Sequence, residues 1–588
     1  MGFTRRQFLT VTTGAALAAQ APSSRRRPNI LIVLADDQGW GDLSAHGNTN
    51  LRTPHIDSLA RDGALFDRFY VCPVCAPTRA EFMTGRYHAR GGVRGVSTGE
   101  ERLNIGERTI AEVFREAGYA TGIFGKWHNG SQPPYHPNFR GFQEFYGFTS
   151  GHWGQYFTPE LDHNGKMIRG NGYIIDDLTD HAIGFIEQNR SRPFFCYLPF
   201  NSPHSPMQVP DEFYGKFQDA ALGLRATDPM LEDIPHTKAA LAMCENIDWN
   251  VGRVLAKLKE WQLERDTLVI YFSDNGPNGW RWNGGMKGRK GTVDEGGVRA
   301  PFLIRWPWRI PAGKKVTEIA GAIDILPTLT ELAGIRWQAP KPLDGLSLRP
   351  LLTGAAGRWA DRMIFSQQRN RFSVRTQQYR LDGDGKLYDM QADPGQMRDV
   401  SGERPEEAER LREAVRKFAE EVKPFVGPDD RAYPVGYAET TWLPARDGVG
   451  HGGIQRSAKA PNCSFFTHWT SAGDRITWDT EVLQTGEYMA ELYYTCAAAD
   501  VGSEVELRHN NAVAAGKISV AHDPPLEGKE HDRVDRGAES YVKRFRPLRL
   551  GVIRLEKGRG LMTLRATKVA GKQVADLRYL ILTREKEG

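Results

Sequence analysis

The run Asn29-Ile-Leu-Ile-Val-Leu-Ala35 limits what this chain can fold into more than any other segment: it has no polar alternation and stops abruptly at Asp36-Asp37. A strand without a polar face is buried on both sides, and such strands belong mostly to parallel sheets covered by helices. The N-terminal half repeats the theme. Tyr119–Gly125, Phe194–Leu198 and Thr267–Ser273 read as further buried strands, the last ending at Asp274-Asn275. Amphipathic helices over 53–62, 109–117, 175–189 and 238–261 lie between them. Thr53-Pro54 gives the first helix an N-cap and a proline at its first position, and Gly63 and Gly118 stop the first two. Strands alternating with helices predict an α/β domain over 28–345, with a mostly parallel central sheet flanked by helices.

The pattern changes after Gly345. Residues 346–425 combine short alternating segments with a charged helix at about 404–422, which predicts a small α+β subdomain. Beyond Pro424–Pro434 the chain is nearly all alternation. Tyr488, Ala490, Leu492, Tyr494 and Cys496 share one face, and Leu548–Leu555, Leu561–Leu564 and Leu577–Leu582 follow the same style. Short strands with Gly-rich turns predict an appended β-sandwich over 434–588.

Composition excludes several classes. With 77 basic and 72 acidic residues the net charge is +5, too weak a balance to imply nucleic acid. Six cysteines cannot form a disulfide scaffold for 588 residues. Residues 1–21 read as an export signal. Arg5-Arg6 precedes Gln7-Phe8-Leu9 and a short apolar run, and Ala19-Gln20-Ala21 resembles a cleavage site. Paired arginines in that position predict the twin-arginine route to the periplasm or the extracellular space. No later segment is apolar for long enough to span a bilayer, so the mature protein is expected to be free of the membrane.

Two strands thus end in oxygen donors, Asp36-Asp37 and Asp274-Asn275. Ligands of open α/β sheets sit beyond the carboxyl ends of the strands. Two such ends would bring four oxygen-donor side chains together, a set that selects Ca²⁺ or Mg²⁺ over zinc. Taken singly, each pair is more often a polar turn.

The segment that decides between these readings is Cys75-Ala-Pro-Thr-Arg79, continuing to Thr84-Gly85-Arg86. Cys72-x-x-Cys75 alone would suggest a redox pair or half a zinc site, but no second C-x-x-C accompanies it. The segment instead resembles the C-x-P-[ST]-R…T-G-R hallmark of the type I, formylglycine-dependent sulfatases, which are arylsulfatase-like members of the alkaline-phosphatase-like superfamily. Gly118-Tyr-Ala-Thr121 and Gly125-Lys126-Trp127-His128 match a second signature of that family, with Asn129 where a leucine is usual. Pro203-His204, Ser273-Asp274-Asn275-Gly276, Lys290-Gly291-Thr292 before Glu295-Gly-Gly-Val-Arg299, and Leu387-Tyr388-Asp389 follow in family order. The resemblance covers about residues 28–425.

The resemblance implies an alkaline-phosphatase-like fold and a sulfuric ester hydrolase acting on sulfated carbohydrates or aryl sulfates. It implies that a formylglycine-generating enzyme converts Cys75 to Cα-formylglycine. Asp36, Asp37, Asp274 and Asn275, with the group at position 75, would hold Ca²⁺ or, as second choice, Mg²⁺. Arg79 would neutralise the hydrate at position 75, and Lys126 and Lys290 would bind sulfate oxygens. The hydrate attacks sulfur and a sulfated enzyme results. His204 with Lys290 protonates the leaving oxygen, and His128 takes the proton that lets sulfate depart.

A phosphomonoester or phosphonate hydrolase of the same superfamily is the alternative. Cys75–Arg79, Lys126, His128 and Lys290 favour sulfate. Ser150 and His152 lie where some family members contact substrate, and Trp280 and Trp282 could stack on sugar or simply pack their loop. His55, His88, His136 and His181 are expected to be structural. The sandwich either binds sugar or packs against the catalytic unit, with packing the favoured reading. Cys463 and Cys496 are a candidate pair, and Cys196 and Cys244 are expected as buried thiols.

Overall fold

The computed structural model describes residues 27–354, 359, 361–425, 427 and 429–585. The segment read as an export signal, 1–21, lies outside them.

An 11-stranded sheet organises the N-terminal unit. Its strands are β1 (Asn29–Ala35), β2 (Ala64–Tyr70), β3 (Ala120–Lys126), β4 (Glu144–Phe148), β5 (Glu160–His163), β6 (Lys166–Arg169), β7 (Phe194–Pro199), β8 (Thr267–Ser273), β9 (Arg299–Arg305), β10 (Lys314–Val316) and β11 (Ala320–Gly321). The order is β10-β2-β9-β8-β1-β7-β3-β4-β5-β6, with β11 also on β2. The central run β8-β1-β7-β3-β4 is parallel; β9, β5 and β6 join antiparallel. The expected mostly parallel sheet is therefore present, with antiparallel additions on both sides.

Every residue of β1 is buried, as its unbroken apolar run requires. Leu31, Val33 and Ala35 face one helical layer, built on α1 (Pro54–Arg61), α4 (Ile174–Gln188) and α5 (Ile234–Glu260). Ile30, Ile32 and Leu34 face the other, with α2 (Cys75–Thr84) and α3 (Ile110–Glu116). Thr109 caps α3 in a reciprocal capping box with Glu112. Thr53 precedes α1 but does not cap it with its hydroxyl, which donates to Asp57 Oδ1 at 2.9 Å instead.

Helix α2 is buried along its whole length. Its Glu81 sits in a buried cluster with Cys72 and His88. Burial raises the Glu81 carboxyl to about 8, against which hydrogen bonds from Cys72 and the His88 backbone are insufficient.

The second unit is a four-stranded antiparallel meander, Ile364–Gln368, Arg371–Arg375, Tyr379–Leu381 and Leu387–Asp389, with helix Pro405–Val422 packed across Val374, Leu381 and Leu387. Its Arg380 reaches back to Glu295 at 2.9 Å, where Tyr70 Oη also donates at 2.9 Å. The Glu295-Gly-Gly-Val-Arg299 motif is thus a buried ionic anchor between the two units.

Residues 433–584 form two six-stranded sheets packed face to face. Tyr488, Ala490, Leu492, Tyr494 and Cys496 point into one core with Trp469, Trp478, Leu507 and Leu580, as the alternation predicts. Cys463 and Cys496 do not pair. Cys463 Sγ donates to His152 O at 3.1 Å and Cys496 Sγ to Ala497 O at 3.4 Å, so each thiol is occupied locally; all six cysteines are free and buried.

The sandwich docks on the loop that follows α2. Arg446 Nη2 donates to Glu101 Oε1 at 3.0 Å across the interface, with both side chains at most 5% exposed. Arg431 donates to Arg102 O and Asn104 Oδ1. Removing one partner of a buried ion pair strands the other charge, which costs roughly 3–5 kcal/mol. Arg446→Ala is expected to destabilise the protein by about that amount, seen as a lower urea midpoint in fluorescence-monitored unfolding. A second expectation concerns pH. Glu81 stays protonated in the folded state up to about pH 8, whereas the unfolded carboxyl ionises near 4.5, so the wild type loses stability from this group as pH rises between those values. Glu81→Gln should gain on the wild type by a few kcal/mol on going from pH 5 to pH 8, measured by urea unfolding at each pH.

Candidate active site

Register builds the site. Ala35 of β1 lies opposite Ser273 of β8, so Asp36-Asp37 and Asp274-Asn275 leave the sheet side by side. Asp274 N donates to Ala35 O at 3.2 Å and Asp37 N to Asp274 Oδ1 at 3.2 Å. On the other flank, β7 pairs with β1 and β3 pairs with β7. Lys126 therefore leaves β3, and His204 the loop after β7, at the same carboxyl edge, where open α/β sheets bind ligands. Gly125 is required there: its φ is +140°, and a Cβ would stand 1.9 Å from Pro199 O.

Cys75 is the first residue of α2, after extended Val74. The motif fixes it. Thr78 Oγ1 donates to Asp274 O at 2.6 Å and accepts from Cys72 N at 2.8 Å, and Asn129 Nδ2 donates to Ala76 O at 3.2 Å. Asn129, the departure from the usual leucine, thus holds the first turn of α2. The helix N-terminus favours negative charge at position 75.

Three carboxylates face three cations. Lys126 Nζ meets Asp36 Oδ2 at 2.5 Å, Lys290 Nζ meets Asp37 Oδ1 at 2.6 Å, and Arg79 Nη2 meets Asp274 Oδ2 at 2.8 Å. Asn275 Nδ2 donates to Asp37 Oδ1 at 2.8 Å. Asp36, Asp37, Asp274 and Asn275 are fully buried. Burial raises the Asp36 carboxyl, but Lys126, His204, Arg79 and Lys290 together outweigh it and hold it well below the carboxylate range. Burial and the charge of Asp36 raise Asp274 to about 7, which Arg79 and Lys126 offset only in part.

Arg79 makes three hydrogen bonds: Nε and Nη2 donate to Asp274 Oδ2 at 3.1 and 2.8 Å, and Nη1 to Lys126 O at 2.7 Å. It ties β8 and β3 to α2 and sets the carboxylates. His128 has φ +64°; its Nε2 lies 2.8 Å from Val96 O, and its buried Nδ1 has no partner among the described residues. Burial, then Lys126, pushes this imidazole well below its ordinary value. His204 Nδ1 lies 2.7 Å from Ser205 O and its Nε2 3.7 Å from Asp37 Oδ2. Burial and Lys290 lower it too.

The donor set fits a hard divalent cation. Asp36, Cys75 and Asp274 offer ligand atoms within 4.8 Å of one another, as do Asp36, Asp37 and His204. Asp36 Oδ1 and Asn275 Oδ1 are buried without a hydrogen-bond partner among the described residues. The four side chains that offer only oxygen, Asp36, Asp37, Asp274 and Asn275, suit Ca²⁺ or Mg²⁺. Three acids against three bases leave the cluster near neutral, so a divalent cation would give it the net positive charge that attracts an anionic ester.

The structure also brings in side chains that the sequence did not single out. Glu539 Oε1 accepts from Ser205 Oγ at 2.6 Å, and Asn462 Nδ2 lies 3.4 Å from His152 Nδ1; both residues belong to the sandwich. Strand alternation carries no signal for such loop residues. Of the positions held open, His152 stacks beside His204 with ring centroids 6.0 Å apart, whereas Ser150 Oγ turns to His152 O at 2.7 Å. Trp280 is half-buried under the Arg289 guanidinium, 5.4 Å from its ring. His88, His136 and His181 hydrogen-bond to Val93 O, Asp162 and Asp177 O, as structural residues do. A cavity of about 570 Å³ between the catalytic unit and the sandwich is lined by Trp153, Trp442, Tyr579 and Asn462 among others, and none of Asp36, Asp37, Asp274 and Asn275 lines it.

Comparison with known proteins agrees with this geometry. The description of the sulfatase family matches residues 28–335, and that of the C-terminal part of N-sulphoglucosamine sulphohydrolase matches 289–423. The chain is 33% identical over 398 residues to N-acetylgalactosamine-6-sulfatase of Canis lupus familiaris, covering 61% of this chain and 72% of that one. It is 33% identical over 426 residues to human arylsulfatase A, covering 65% and 78%. The solved structure of Ps i-CgsB in complex with k-i-k-neocarrahexaose superposes with a TM-score of 0.61 at 30% identity, covering 67% of this chain and 93% of that one. With its alkaline-phosphatase-like sheet and its buried acid–base cluster at the head of α2, this chain belongs to the sulfatase family and is a sulfuric ester hydrolase.

Proposed function

We propose that the chain is an exported sulfatase that hydrolyses sulfated carbohydrates, using a Cα-formylglycine made from Cys75 and a bound Ca²⁺. The observation that carries this reading is the buried cluster at the head of α2, where Asp36, Asp37, Asp274 and Asn275 stand with two unpartnered oxygens beside position 75. Cys75 itself supports conversion. Burial raises its thiol, Lys126 and Lys290 lower it only in part, and the outcome lies above the ordinary value. The nucleophilic form of cysteine is the thiolate, so an unmodified Cys75 is poorly suited to attack.

Each side chain then has a task set by its position. Asp36, Asp37, Asp274 and Asn275 hold the cation, which when bound polarises the nucleophile and the ester. Lys126 and Lys290 turn their ammonium groups to the sulfonyl oxygens. His204 Nε2, backed by Lys290 Nζ, is the proton donor to the leaving oxygen and acts in its protonated form. His128 keeps Nε2 on Val96 O and leaves Nδ1 free to accept a proton. Arg79 orients Asp274 and Lys126.

Carbohydrate as substrate rests on two relatives, an N-acetylgalactosamine-6-sulfatase and a solved structure in complex with k-i-k-neocarrahexaose. Export rests on Arg5-Arg6 and the apolar run after it. A formylglycine-generating enzyme would be the maturation partner.

Two expectations test the reading. Protein made with a formylglycine-generating enzyme should carry an aldehyde or its hydrate at position 75 in the mass of that peptide, and should release sulfate from a panel of sugar monosulfates. Cys75→Ala should lose at least ~10³-fold in kcat. A fully active protein with an intact thiol would refute it. Chelation with EDTA should abolish sulfate release and Ca²⁺ restore it. Calcium at about 100 times its Kd should also stabilise the fold by about 2.7 kcal/mol, read as a higher melting temperature that Asp274→Ala no longer shows.

A further inference from the structure

The sandwich does more than pack against the catalytic unit. Gln208, in the loop after β7, pairs with Asp532 across the interface, and Arg536 Nη1 donates to Gly154 O at 2.7 Å. These contacts fix the segment that carries Glu539 beside the His204 loop. Glu539 Oε1 is taken by Ser205 Oγ and lies 4.0 Å from His204 Nδ1. Its second oxygen, Oε2, is buried and has no hydrogen-bond partner among the described residues. His152, 3% exposed and stacked beside His204, has a buried Nε2 in the same state. An acceptor oxygen and an imidazole nitrogen thus stand unpartnered next to the histidine assigned to the leaving group.

A buried polar atom left unsatisfied costs about 1–3 kcal/mol, and more when charged. Burial raises the Glu539 carboxyl, but His152, His204, the Ser205 hydroxyl and Lys290 hold it below the usual range, so it is ionised. That oxygen lacks a donor among the described residues, and a bound substrate can bring one. The leaving group of a sugar sulfate brings such donors, ring hydroxyls or an acylamino N–H next to the ester; the leaving group of a simple aryl sulfate does not.

We propose that Glu539, supplied by the sandwich, is a specificity-determining residue of the catalytic pocket. Its Oε2 accepts a hydrogen bond from a hydroxyl or acylamino group of the sugar unit bearing the sulfate, and its charge turns away units with a second anionic group at that place. The proposal rests on the carbohydrate reading above.

Glu539→Gln tests it. Glutamine keeps the size and the acceptor for Ser205 but presents a donor where Oε2 was. Kinetics are measured on 4-nitrophenyl sulfate and on whichever of N-acetylgalactosamine 6-sulfate, galactose 6-sulfate and galactose 4-sulfate the wild type cleaves best. The sugar kcat/KM should fall by ~10–100-fold, chiefly through KM, and at least ~10-fold further than the value for the aryl sulfate. Ser205→Ala, which removes the loop contact and keeps the carboxylate, should shift this selectivity far less. Equal losses on both substrates, no loss on the sugar, or a Ser205→Ala variant that reproduces the selectivity change would each overturn the proposal. A wild type that cleaves 4-nitrophenyl sulfate and none of the sugars would remove the carbohydrate reading itself, and the proposal with it, before any variant is made.

Discussion

Three carboxylates buried at one sheet edge cannot persist alone. Taking each charge out of water costs several kcal/mol unless opposite charge and hydrogen bonds return it. Here Lys126 neutralises Asp36, Lys290 neutralises Asp37 and Arg79 neutralises Asp274, at 2.5 to 2.8 Å. The three cations come from β3, from the loop after β8 and from α2. The charge balance therefore ties together the elements that the site needs in one place, and much of the surrounding structure serves to keep them there.

The supports form a chain outward. Thr78 and Asn129 clamp the first turn of α2. The loop behind it, residues 92–104, offers Val96 O to His128 and Glu101 to Arg446 of the sandwich. The meander anchors Glu295 through Arg380, next to the segment that carries Lys290. Neither C-terminal unit is a loose appendage, because each is joined to the catalytic unit by a buried ion pair, Arg380 with Glu295 and Arg446 with Glu101. The family descriptions end at residue 423, so the sandwich lies beyond the matched region, and its Glu539 reaches the loop that carries His204.

Much of this was legible in the sequence. An apolar run with no polar face has to be buried on both sides, and β1 is. Period-two alternation has to build a sheet with one buried face, and the strand Gly486–Thr495 does. The motif order pointed to Asp36, Asp37, Cys75, Lys126, His128, His204, Asp274, Asn275 and Lys290, and the fold brings these to one edge. The proposed Cys463–Cys496 pair failed for a physical reason: two cysteines in one domain say nothing about distance, and each thiol found a nearby carbonyl instead.

What the sequence determined by itself was local or periodic: which segments are strands, where they end, and which residue types stand at those ends. These follow from side-chain burial and backbone preference, which act over a few residues. What only the tertiary structure decided was register and proximity. The pairing of Ala35 with Ser273, the hydrogen bonds of Arg79 to Asp274 and Lys126, and the reach of Glu539 to Ser205 join residues tens to hundreds of positions apart. Such contacts depend on how whole layers pack and on where buried charge can be balanced, and no short stretch of sequence contains that information.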